Sequence, residues 1–150
     1  MATVEMSFTP LPAHVRTARL VATAVARRSG VDEALLDEVR LAVGEACSRA
    51  VEAHQEHCPA EPVRVALTGT NGRFEVVVTD TAVQPNGAAD AAGPGDRAND
   101  GSRAPGAGPQ AVPAELGLAV IEGLADDVEI ARTKAGLSIR MSWPSATPAS

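Results

Sequence analysis

The sequence predicts an α+β fold, a two-layer sandwich with helices on one face of a mostly antiparallel sheet. Three observations predict it. Segments with strand character and segments with helical spacing do not alternate strictly, so the chain does not read as a series of βαβ units. Two pairs of β-rich segments are separated by only a few turn-forming residues, as antiparallel hairpins require. The length of 150 residues suits a single two-layer core.

Taken in order, Thr3–Phe8 reads as a short strand ended by Leu11-Pro12. From Ala13 to Arg28 the apolar residues Val15, Ala18, Leu20, Val21, Val25 and Ala26 fall close to helical spacing. Ser29-Gly30 closes this helix, Gly30 being suited to a left-handed cap. Asp32 is placed to cap a second helix running to about His54. Its apolar stripe is Leu35, Leu36, Val39, Val43, Ala46, Ala50 and Val51. After the break at 59–62, Val63–Thr68 and Arg73–Thr79 read as strands joined by Gly69-Thr70-Asn71-Gly72, since Asn-Gly readily takes positive φ. Residues 84–112 then hold six Gly, four Pro and eight Ala among 29 positions, with almost no large apolar side chain. Such a composition cannot offset the entropy of ordering, which predicts a mobile lid or insert. A helix over Ala114–Leu124 follows Pro113. Strands near Val128–Thr133 and Leu137–Trp143 come next, joined through Lys134-Ala135-Gly136. The organisation is one domain over 1–143 and a disordered tail over 144–150.

Composition narrows the function. The net charge of −6, with twelve Arg and one Lys spread along the chain, argues against a nucleic-acid surface. No segment reaches the length of a membrane span, and residues 1–10 lack the pattern of a signal peptide, which predicts a cytoplasmic protein with no membrane partner. Cys47 and Cys58 have no paired motif and read as free thiols.

Three segments carry chemistry. In Leu41-Ala42-Val43-Gly44-Glu45-Ala46-Cys47-Ser48-Arg49-Ala50, Glu45 and Arg49 are one helical turn apart and share a face. They read either as an exposed i,i+4 ion pair or as two groups of one pocket. Phe74-Glu75-Val76-Val77-Val78-Thr79-Asp80-Thr81-Ala82 is a strand ending on Asp80, which by itself reads as a turn former. Glu115-Leu116-Gly117-Leu118-Ala119-Val120-Ile121-Glu122-Gly123-Leu124-Ala125-Asp126 opens a helix around Gly117. A fourth cluster, His54, His57 and Cys58 at i, i+3 and i+4, offers three zinc-type ligands without a placed fourth; its other reading is a frayed polar helix end.

In their order and spacing, the first three segments and Gly136 resemble the Bergerat-type GHKL ATPase fold of histidine kinases and gyrase. They are most similar to its compact anti-sigma-factor, serine-kinase branch, from Phe8 to Trp143. The resemblance implies Glu45 as catalytic base and a nucleotide site at Arg49, Asp80, Gly117, Leu118 and Gly136, with ATP or ADP as ligand. It implies Asp80 as the reader of the adenine amine and Gly117-Leu118 as a phosphate contact at a helix start. Four positions depart from the family pattern. Arg49 stands where an Asn helps to hold magnesium; arginine has no acceptor, so no metal site is expected. Ala82 and Gln84 replace glycines beside the adenine, and Glu115 replaces a glycine beside the phosphates. The function implied is partner switching: binding of a sigma factor, an anti-anti-sigma factor or both, with kinase activity weak or absent. The alternative is an active ATP-dependent serine kinase acting on the anti-anti-sigma factor. The helix over 13–28 and the first part of the next would supply a partner surface or a homodimer face.

Overall fold

A stripe of alanines lets the first two helices approach closely. In α1 (Pro12–Arg28) the buried positions are Val15, Ala18, Ala22 and Ala26, one per turn, and they pack on α2 (Glu33–His57). Proline in the first turn starts α1. Its end is a paired cap, with Gly30 at φ +95°, the N–H of Gly30 donating to Arg27 O and that of Val31 to Ala26 O. Asp32 caps α2 by accepting from the N–H of Ala34 at 2.9 Å.

The computed structural model describes residues 2–70, 72–82, 114–134 and 136–146. The lid expected over 84–112 lies outside them. The described elements are β1 (Ala2–Phe8), α1, α2, β2 (Val63–Thr70), β3 (Arg73–Asp80), α3 (Ala114–Leu124), β4 (Asp127–Thr133) and β5 (Gly136–Pro144). The five strands form one open sheet in the order β1-β2-β3-β5-β4, every neighbouring pair antiparallel. Burial alternates along β3, as a half-buried strand requires. Val63, Val65, Leu67, Phe74, Val76, Val78, Ile139, Met141 and Trp143 form the buried sheet face of a core shared with α1 and α2, with Ile121 from α3. Phe74 and Trp143 are cross-strand partners with ring centroids 6.2 Å apart. The Trp143 Nε1–H donates to Leu124 O at the end of α3.

Three boundaries differ from expectation. The helix α2 runs on to His57, because His54 is buried rather than frayed. The first hairpin is tighter than the four-residue connection suggests: Thr70 pairs with Arg73, and Gly72 takes φ +84°. The tail does not fray at Pro144. Pro144 ends β5, Ser145 N–H donates to Gly72 O at 3.0 Å, and Ala146 N–H donates to Gly30 O at 2.8 Å. Residues 147–150 lie outside the described ones.

Candidate functional site

Glu45 and Arg49 are half-buried on the flank of α2 that meets α3. Their neighbours Ala42, Val43, Ala46 and Ala50 hold the other flank in the core. Gly117 faces both charged side chains. A Cβ on Gly117 would stand 2.7 Å from Glu45 Oε2 and 3.3 Å from Arg49 Cδ. A side chain here would move the carboxylate, the free end of a flexible chain.

No ion pair joins Glu45 to Arg49 among the described residues, so the exposed pair is not formed. Arg49 Nε is buried and has no hydrogen-bond partner among them. Burial draws the Arg49 guanidinium below its ordinary pKa. The Asp80 carboxylate opposes this most, Arg132 reinforces it, and Glu45 and Glu52 oppose it more weakly. The charge remains, because guanidinium does not deprotonate in proteins.

Asp80 ends β3 with its side chain buried. Its Oδ1 accepts from Ala82 N–H at 3.2 Å and Leu137 N–H at 3.4 Å. Both bonds land on one oxygen, so Oδ2 keeps acceptor capacity for an amine donor. Gly136 makes this arrangement possible. It sits at φ +137°, and a Cβ on it would fall onto the Asp80 carbonyl oxygen. Ala82, where the family pattern has glycine, is buried and its N–H is committed to Asp80. Leu118 is partly buried and packs on the core, so its side chain serves the fold. The side chain of Glu115 and all of Gln84 lie outside the described residues.

Sequence reasoning missed the role of His54. It is fully buried, and its Nε2 accepts the N–H of Thr81 at 2.9 Å while Nδ1 lies 2.8 Å from Glu61 O. An N–H facing Nε2 requires the tautomer with the proton on Nδ1, so the ring is neutral and donates to Glu61 O. His54 therefore ties the residue after Asp80 to α2. The signal was available: Cys47, Ala50, Val51 and His54 continue one buried helical stripe.

This commitment of both ring nitrogens corrects the zinc reading of His54, His57 and Cys58. Among the described residues no group of three or more His, Cys, Asp or Glu is placed to hold a metal. Magnesium fares no better at the position implied for it, because Arg49 brings only donors. For a nucleotide, the described residues offer the free acceptor capacity of Asp80 Oδ2. Cys47 and Cys58 are both free, as expected, and burial pushes the Cys47 thiol up to about 12 against a lowering by Arg19. No helix of the described residues is long and apolar enough to cross a membrane.

Comparison with known proteins agrees with this geometry. The model of the histidine kinase-like ATPase domain matches residues 8–143. No curated protein matches the chain. Among solved structures, the RsbU and RsbW domains of Rv1364c from Mycobacterium tuberculosis superpose with a TM-score of 0.65 at 17% identity. That match covers 99% of this chain and 34% of the other, so the chain spans about a third of that protein's length and the likeness is one of fold. From the family match over nearly the whole sequence, the chain belongs to the histidine kinase-like ATPase domain family.

Proposed function

We propose that the chain is a cytoplasmic partner-switching regulator of transcription, binding a sigma factor, an anti-anti-sigma factor or both, with phosphoryl transfer weak or absent. The observation that carries this reading is Arg49. It lies against the Gly117 and Glu45 corner of the site, where a kinase of this family would bring a magnesium ligand. Phosphoryl transfer depends on a cation that offsets charge on the transferring group while the base activates its nucleophile. A guanidinium offers one charge and no coordination sites. Partner binding requires neither. The fold likeness to a structure containing an RsbW domain supports the same reading. A candidate surface is the outer face of the α1–α2 hairpin, where Leu20 (61% exposed) and Leu41 (52% exposed) leave apolar area in water.

The second reading, an active serine kinase, is favoured by one observation: the Glu45 carboxylate is retained beside Gly117. One experiment separates them. The chain is mixed with sigma and anti-anti-sigma proteins from its own genome, and complexes are sized by chromatography in the presence and absence of magnesium ATP. The regulator reading predicts a complex that forms without ATP. If no complex is recovered, that reading fails.

A further inference from the structure

We propose that this site takes a nucleoside di- or triphosphate without a divalent cation, the Arg49 guanidinium occupying the metal's place. The inference rests on reading the site as a nucleotide site, and it adds the chemical form of the ligand.

The local charges point this way. Among the described residues, Glu45, Glu52 and Asp80 are carboxylates that act on Arg49, and Arg132 is a cation that does. A phosphate entering beside these carboxylates needs positive charge near it to neutralise the repulsion. Arg49 supplies part of that neutralisation permanently. It also repels a second cation from the same place.

Donor geometry points the same way. Among the described residues Arg49 Nε is buried without a partner, and the methylene beside it, Cδ, lies at the Gly117 corner. A buried donor lacking an acceptor is unfavourable, and an anionic oxygen is the acceptor that satisfies it best. Guanidinium forks match phosphate oxygens two at a time, which an ammonium cannot do. Asp80 Oδ2 remains as an acceptor for a base amine. Magnesium bound to the phosphates would occupy the oxygens that Arg49 takes, so excess magnesium should weaken binding. That sign is opposite to the one a metal-dependent site gives.

The test is calorimetric titration of the full chain with ADP and with ATP, once in EDTA and once in excess magnesium. Unfolding followed by the fluorescence of Trp143 serves as the check on folding. Binding in EDTA should be tighter than in excess magnesium. Arg49→Asn should lose about tenfold or more in EDTA, the worth of one charge-assisted contact, and should regain affinity when magnesium is added. Should Arg49→Asn not fold, Arg49→Lys gives the same comparison, retaining the charge without the fork and binding more weakly in EDTA. Binding by the unmodified chain that appears only with magnesium overturns the proposal, as does an Arg49→Asn affinity unchanged in EDTA. Absence of any nucleotide binding also overturns it, yet leaves partner binding standing, because the complex is measured without nucleotide.

Discussion

The Glu45 carboxylate rests 2.7 Å from the point where a side chain on Gly117 would begin, so the start of α3 and the middle of α2 meet at that glycine. Two effects of a substitution there oppose each other. Alanine in place of a helical glycine stabilises by about 1 kcal/mol, whereas its Cβ must displace the Glu45 carboxylate, the free end of a flexible side chain. Gly117→Ala should therefore change stability by less than about 1 kcal/mol, read from urea unfolding. It should nonetheless weaken nucleotide binding, read by titration, since Glu45 and Arg49 must both shift. A large loss of stability would show that the glycine serves the fold alone.

Gly136 is constrained differently. Its φ of +137° disfavours any side chain, and its missing Cβ is the space filled by the Asp80 carbonyl. Gly136→Val should cost about 3 kcal/mol or more, combining strain and overpacking. Equilibrium unfolding monitored through Trp143 measures this. A valine variant as stable as the original would contradict the close approach of β5 to Asp80.

His54 offers a third test. Replacing it with alanine leaves the Thr81 N–H and the Glu61 carbonyl without their partner and opens a cavity. The expected cost is about 3 kcal/mol. His54→Gln, which can restore one of the two bonds, should fall between. If both variants unfold at the same denaturant concentration as the original, the tether between α2 and the end of β3 has no energetic weight.

These three cases show how much was legible in the sequence. Gly30 and Asp32 announced their caps because capping chemistry is local. The strand order could not be read so directly: β3 and β5 are separated by a helix and by the 84–112 segment, and their pairing depends on contacts distant in sequence. Glu45 and Arg49 were legible as one face, but whether they pair was not. The residues that meet them come from far along the chain, as Gly117 does, 68 positions beyond Arg49. His54 was misread as frayed because a histidine near a helix end resembles a surface residue until Thr81 is brought against it.

The buried thiol of Cys47 predicts a pH dependence. Burial raises its pKa from 9.0 to about 12, so the folded state holds its proton where the unfolded state has released it. Stability is therefore fully present below about pH 9 and falls as pH rises toward 12, by about 1.4 kcal/mol per pH unit at the steepest. The chain has no Tyr and one Lys, so few other groups titrate in this window. Urea midpoints at pH 8 and pH 10 should differ for the original chain and differ less for Cys47→Ala. Equal slopes would assign the effect elsewhere.

The central claim is that this chain binds its partners without metal-dependent phosphoryl transfer, Arg49 standing where a magnesium ligand is implied. Its most direct test is transfer of label from γ-labelled ATP with magnesium to an anti-anti-sigma protein that forms a complex with the chain. The account predicts a stable complex and no labelled partner above background. Labelling that requires magnesium and disappears in Glu45→Ala would contradict it.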